Sequence, residues 1–241
     1  MAIEFTTSSA AAQTSGVKAL VHGRSGVGKT LLCSTAPSPL IISAESGLLS
    51  LSKTNIERVF GVNAPGICYD VPVAKVKNVD DLAQVFTWCQ AHAWTNGIRT
   101  INMDSISEIM EQVLANAKAQ VKDPRQAYGE LIDKGQDLIR KFRDLPGLNV
   151  VVLAKQEGIK DDLTGVTKYG PSVPGSKLGQ SLPYFFDEVF HLGVNKDTAG
   201  NPYRYLQTQP DLQFEAKDRS GMLAPIEFPH LGAVFNKVLG A

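Results

Sequence analysis

An apolar run, Val17-Lys18-Ala19-Leu20-Val21-His22, leads directly into Gly23-Arg24-Ser25-Gly26-Val27-Gly28-Lys29-Thr30, and Leu31-Leu32-Cys33 follows. The eight central residues fit G-x-x-x-x-G-K-[ST], the phosphate-binding P-loop. Glycines let the backbone curl so that successive N–H groups face phosphate oxygens. Lys29 is placed to reach β- and γ-phosphates, and the Thr30 hydroxyl to ligate Mg²⁺. The preceding run reads as a buried strand. The following residues read as the first turns of a helix, whose N-terminus favours anions. A glycine-rich turn with a solvated lysine is the bland alternative; the agreement of strand, loop and helix favours nucleotide binding.

A chain of 241 residues is long enough for one sizeable α/β domain with its own core. Lys and Arg number 24, as do Asp and Glu, so no basic field covers the surface. Any nucleic-acid contact must come from a local patch, with modest affinity that falls with salt. Cys33, Cys68 and Cys89 form no C-x-x-C pair and no ligand cluster with His22, His92, His191 or His230. Buried reduced thiols are therefore expected, not a zinc site or a disulfide scaffold. No stretch reads as a membrane span. Met1 to Gly16 lacks the pattern of a secretory signal, so a cytoplasmic protein is expected.

Residues 1–16 read as a flexible arm, with Thr6 to Gly16 built of small and polar residues. Ala2-Ile3-Glu4-Phe5 could add as a strand to its own sheet or a neighbour's. Residues 17–241 read as a single domain. Pro37 and Pro39 precede a buried strand, Leu40–Ser43, and Tyr69–Val73 suggests a short or edge strand. Helical spacing runs from Val79 to Trp94 and from Glu130 to Leu145. Ile98–Met103 is a strand ending on Asp104, and Ser105 to Glu108 opens a helix as a capping box. Asn149–Ala154 is the clearest buried strand. From Gly158 to Pro183 the pattern is lost, which reads as a long loop. Glu188–Val194 and Tyr203–Gln207 suggest two further strands, and Leu231–Leu239 a short amphipathic helix. Alternating strands and helices imply an α/β fold with a mostly parallel central sheet and helices on both faces.

Phosphate cleavage needs a carboxylate near Mg²⁺ and a group that activates water. Asp104, at the C-terminal end of a strand, is the candidate magnesium carboxylate. It would otherwise be a helix cap, but Ser105 can fill that role. The residue after Asp104 is not an acid, so a catalytic base must come from elsewhere. Glu45, just past the strand Leu40–Ser43, is the candidate; the alternative is an exposed loop acid beside a capping Ser46. Gln156, after the strand Asn149–Ala154, is placed to sense a γ-phosphate and report it to the following loop. Lys155 competes for that role, and a strand simply reaching solvent is the alternative.

Taken together, Gly23–Thr30, Ala44-Glu45, Asp104-Ser105 and Lys155-Gln156 resemble the RecA-type recombinase core in order and spacing. More closely, the chain resembles the phage ATP-binding proteins of AAA type that are reduced to a RecA core and assist single-strand annealing. Their recurring features match Ser43-Ala44-Glu45-Ser46-Gly47, Pro171-Ser172-Val173-Pro174-Gly175 and Ala216-Lys217-Asp218-Arg219, and the likeness covers most of residues 17–228. Ser43 stands where such proteins often carry an aspartate.

The resemblance implies a RecA-like P-loop NTPase fold, Glu45 as catalytic base and Gln156 as ATP sensor. It implies a DNA-binding loop over Gly158–Lys177. There Lys160, Lys168 and Lys177 would contact phosphates and Tyr169 would stack on bases. Asp161 and Asp162 dilute that patch, and a solvated lid is the alternative. Lys217 and Arg219 resemble cationic fingers that reach a neighbouring subunit's ATP; intrachain pairing, for instance with Asp218 or Glu215, is the alternative. The trans reading requires a ring or filament of identical subunits. The flanking domains of full recombinases find no counterpart, so the resemblance does not extend to independent strand exchange.

The leading expectation is an ATPase that uses ATP and Mg²⁺, binds single-stranded DNA when ATP-loaded, and works beside an annealing or single-strand-binding protein. One alternative is a helicase loader or remodelling ATPase acting on a protein partner. Another is a nucleotide-dependent scaffold without hydrolysis. A small-molecule kinase is less well supported, since neither an arginine-rich lid nor an acceptor pocket is legible.

Overall fold

A computed structural model describes residues 6–7, 10, 16–45, 47–121, 123–160 and 165–240, with backbone alone at 120, 124, 130, 176 and 177. The strand expected at Ala2–Phe5, the cap expected at Ser46, and the acids Asp161 and Asp162 lie outside the described residues. So do most of the arm and the side chain of Lys177.

The centre of the molecule is a sheet whose inner strands carry buried apolar residues. These are β1 (Lys18–His22), β2 (Pro39–Ser43), β4 (Thr100–Asp104) and β5 (Asn149–Lys160). Apolar runs such as Leu40–Ile42 and Val150–Ala154 belong to strands covered on both faces, and each of these strands is buried along its length or, in β5, from Val150 through Ala154. With the edge strand β3 (Val73–Lys75) and the later strands β6 (Thr167–Ser172), β7 (Glu188–Lys196), β8 (Pro202–Gln207), β9 (Lys217–Asp218) and β10 (Ile226–Glu227), the order is β10-β8-β7-β1-β5-β4-β2-β3. The strands from β7 to β3 in that order run parallel. β8 is antiparallel to β7 and β10 to β8, while β9 pairs with β7 and β6 with β5.

Side chains alternate across the sheet. Val150, Val152 and Ala154 of β5 face one core, with Leu20, Ile42, Ile101 and Met103. That face is covered by α3 (Val79–His92), α4 (Ile106–Gln120) and α5 (Pro124–Arg143), through Leu82, Ile109, Met110, Leu131 and Phe142. Val151 and Leu153 face the other core, with Val21, Ile41 and Phe190. The short α1 (Lys29–Leu32) and α7 (Leu231–Leu239) cover it through Leu32, Leu231, Val234 and Phe235. The remaining helices are α2 (Lys53–Phe60) and α6 (Ser176–Ser181). This is the mixed α/β architecture of a P-loop NTPase, with helices on both faces of a mostly parallel sheet.

Several elements differ from their sequence expectation. The edge strand lies at Val73–Lys75, beyond Pro72 and not over Tyr69–Val73. The second long helix begins at Pro124, six residues before Glu130, because Asp123 caps it and accepts from the Arg125 N–H at 2.9 Å. The largest difference concerns the expected loop from Gly158 to Pro183. β5 does not stop at Ala154; Lys155–Lys160 continue out of the sheet and pair antiparallel with Thr167–Ser172. Helix α6 and a 3-10 turn, Leu182–Phe185, complete the segment. The β5 arm of this hairpin is mostly exposed and β6 is half-buried with glycine and proline in it, so neither carries an apolar period to read.

Candidate active site

β1 delivers the chain to the phosphate loop, and the loop's glycines make the turn. Gly26 and Gly28 have φ of 76° and 107°, a region where a Cβ is strained. Arg204 Nε, from β8, donates to the Val27 carbonyl at 2.7 Å and packs where a Gly28 Cβ would sit. Lys29 folds back over the loop, its Nζ donating to the carbonyls of Gly23 at 2.7 Å and Arg24 at 3.1 Å. Burial lowers the Lys29 pKa; the Asp104 and Glu45 carboxylates oppose that shift.

The parallel register of β2 and β4 sets Ser43 opposite Asp104, so the ends of both strands open on one site. Thr30 Oγ1 donates to Asp104 Oδ2 at 2.7 Å. Ser105 Oγ donates to Glu45 Oε1 at 2.9 Å, while also accepting from the Glu108 N–H as the N-cap of α4. Ser105 thus fills the cap and leaves Asp104 facing Thr30. The capping box is half made, because the Glu108 carboxylate turns to Lys155 at 3.2 Å. Asp104 is 4% exposed. Burial raises its pKa, the Thr30 hydrogen bond opposes this, Glu45 adds to the rise, and Lys29 opposes it.

These groups line one cavity of about 490 Å³, with Gly23, Ser25, Gly26, Gly28, Lys29 and Thr30 on one side. Glu45, Ser50, Asp104, Ser105, Lys155 and Gln156 line the other. The cavity therefore brings together the P-loop, both candidate acids and the candidate sensor. Lys155 reaches it from a side chain held by Glu108 and by Glu111 at 2.8 Å. Gln156 sits on the outgoing part of β5, opposite Pro171 of β6.

The donor set suits magnesium. Mg²⁺ takes oxygen ligands, keeps several waters and uses one or two carboxylates plus substrate phosphates. A hydroxyl and a buried carboxylate already in contact, Thr30 and Asp104, fit that requirement. Among the described residues no cluster of three or more His, Cys, Asp or Glu side chains is placed to hold a metal by itself.

Other expected site residues lie apart from this cavity. Lys217 Nζ donates to the carbonyls of Pro183, at 2.7 Å, and of Phe186. Arg219 pairs with Asp187 at 2.7 Å, not with Asp218 or Glu215. Asp218 instead accepts from Ser220 Oγ and from the Gly221 and Leu223 N–H groups. On the hairpin, Lys160 ends β5, Lys168 pairs with Glu215 at 2.7 Å, and the Tyr169 ring stacks on Phe214.

Sequence reasoning missed Arg204, Ser50 and an aromatic group beside the loop. In that group His191 stacks on Phe214 at 3.8 Å between centroids and lies 5.3 Å from His22. Only the position of His22 next to the P-loop could have drawn attention to it.

A phosphate loop on a parallel sheet, with a hydroxyl–carboxylate pair at its mouth, defines a P-loop NTPase. The chain belongs to the AAA domain family, whose model matches residues 15–220. The family is one of nucleotide-dependent ATPases. A comparison with curated proteins finds no match. Among the described residues no helix is long and apolar enough to cross a membrane.

Proposed function

We propose that the protein is a RecA-core-like ATPase that binds single-stranded DNA when ATP-loaded and assists strand annealing in recombination, as phage proteins of this type do. The observation that carries the reading is the shared cavity: Lys29, Thr30, Asp104 and Glu45 face one space, with Gln156 on the strand that leaves it as a hairpin. A base supplied from the end of β2, and not from the residue after Asp104, supports the RecA-type reading over other P-loop ATPases.

In the proposed reaction the P-loop N–H groups and Lys29 hold the β- and γ-phosphates. Thr30 and Asp104 would hold magnesium, which when bound neutralises charge on the β- and γ-oxygens. Glu45 takes a proton from water as its oxygen attacks the γ-phosphorus. The bond from that phosphorus to the β–γ bridging oxygen breaks, giving ADP and phosphate. Ser105 aims Glu45 by its hydrogen bond. Gln156 reads the γ-phosphate, and the hairpin carries Lys160, Lys168 and Tyr169 to the DNA.

Lys217 and Arg219 complete a neighbour's site in an assembled ring or filament, which requires them to leave their intrachain partners. An annealing or single-strand-binding protein is the expected companion. A second reading, a loader that acts on a protein partner, is favoured by one observation: Lys168 is neutralised by Glu215, which weakens the hairpin as a phosphate tracker.

The deciding experiment measures ATP hydrolysis without DNA, with single strands and with duplex, beside Lys29→Ala. Stimulation by single strands that Lys29→Ala abolishes is expected. Hydrolysis indifferent to DNA overturns the recombination reading in favour of the loader.

A further inference from the structure

At the end of β1, where the phosphate loop begins, two buried histidines that the proposed reaction does not use meet the candidate sensor Gln156. His22 is fully buried and His191 is 4% exposed. His22 Nδ1, His191 Nδ1 and Gln156 Oε1 are buried without a hydrogen-bond partner. An orphaned buried polar atom is costly, and three in one place call for a reason.

The β1–β5 register sets His22 opposite Ala154, so Gln156, two residues on, shares its face of the sheet. The Gln156 amide interacts with the His22 ring. The other ring nitrogen fixes the tautomer. His22 Nε2 lies 2.7 Å from the Glu215 carbonyl, which can only accept, so Nε2 carries the hydrogen. Burial lowers the His22 pKa and keeps the ring neutral. Nδ1 is then a bare lone pair that needs a donor. An amide turned by 180° exchanges its oxygen for its NH₂. In that orientation Gln156 donates to Nδ1.

Gln156 also lines the phosphate cavity, where a turn of its side chain would offer that NH₂ to a γ-phosphate. It also lines a neighbouring cavity of about 760 Å³ that contains His191 and Phe214. A γ-phosphate is a charged acceptor and outcompetes a neutral imidazole for that donor. Glu215 is held on three sides: by His22, by its N–H to the Tyr169 carbonyl at 2.8 Å, and by its carboxylate to Lys168. It stands two residues before Lys217.

We propose that His22 is a positioning residue: it holds the Gln156 amide while no γ-phosphate is present, and passes the release of that amide to the hairpin and the 213–219 segment through Glu215. The inference rests on the reading of Gln156 as the γ-phosphate sensor. His22 makes the triphosphate compete with an internal acceptor. Removing Nδ1 therefore lowers the cost of binding ATP without touching ADP.

The test uses the full chain with Mg-ADP and a non-hydrolysable Mg-ATP analogue. Ring ¹⁵N shifts of His22 report Nδ1 directly. The expected result is a shift change with the analogue, little with ADP, and none in Gln156→Ala. In His22→Gln, which keeps a donor toward the Glu215 carbonyl, KM for ATP is expected to fall about three- to tenfold with ADP affinity unchanged and kcat moved less. General damage to the site would weaken both nucleotides instead. An unmoved Nδ1 signal at saturating analogue overturns the inference alone, even if the variant does not fold. Failure of the wild-type chain to bind either nucleotide overturns the P-loop reading and the inference with it.

Discussion

Thr30 donates its hydroxyl hydrogen to Asp104 across 2.7 Å, joining the first turn of α1 to the last residue of β4. The two are 74 positions apart in sequence and are brought together by the β1-β5-β4 order of the sheet. The contact satisfies a carboxylate that burial would otherwise make costly.

Asp104→Asn separates stability from function. The folded pKa of Asp104 is raised, so folding disfavours its charge and its contribution to stability falls as pH rises through that range. Asparagine removes the charge and still accepts from Thr30. The nucleotide-free variant should melt higher at neutral pH, by a few °C as an order of magnitude. Its magnesium-dependent hydrolysis should fall by about 10² or more. Thermal melting and phosphate release measure the two effects.

Glu45→Gln keeps an oxygen for the Ser105 hydroxyl and removes the proposed base. Nucleotide affinity should stay within about threefold while kcat drops by about 10²–10⁴. Equal loss of both in equilibrium binding and steady-state assays would reject Glu45 as the base and make it a structural acid.

Arg204→Ala leaves the Val27 carbonyl without its donor. About 1 kcal/mol of stability should be lost, and the loop should hold nucleotide less tightly. Chemical denaturation with and without nucleotide should show a larger loss in the liganded protein. An unchanged difference would mean that Arg204 does not brace the loop.

The pH profile of stability has two opposed buried contributors. Glu188 is pushed up to about 7, chiefly by burial and next by Asp218. A raised carboxyl binds its proton more tightly when folded, so stability falls as pH rises from about 4.5 to about 7. His191 is pushed down to about 4, by burial and then by His22. It stays neutral when folded, so stability falls as pH drops from about 6.5 to about 4. The two slopes oppose each other between about 4.5 and 6.5, so Glu188→Gln should make stability rise more steeply with pH there, and His191→Phe should make it fall. Melting scans from pH 4 to pH 8 distinguish them.

What could be read in advance follows burial. β1, β2 and the inner half of β5 announce themselves because both faces are covered, which leaves short apolar runs, and β4 shows itself by Ile101 and Met103 ahead of Asp104. The P-loop is local, so its residues and its strand–loop–helix setting were legible together. Lys155–Lys160 and Thr167–Ser172 were not, since pairing there depends on backbone hydrogen bonds and on cover from the distant 213–215 segment, not on an apolar pattern. Long-range partners were equally hidden. Nothing near Arg204 points to Val27, 177 positions away. Arg219 finds Asp187, which no spacing rule selects over the nearer Asp218.

β5 spans twelve residues without interruption. Its inner half is wedged between β1 and β4, and its outer half stands free of them, so the strand has a fulcrum near Ala154. At about 3.3 Å per residue the arm beyond that point is about 20 Å long. A tilt of about 5° at the fulcrum, less than a side chain's width of movement beside the phosphates, would swing Lys160 by about 2 Å. Any tilt at the root of this strand is multiplied along its length, so its tip moves further than the residues beside the P-loop.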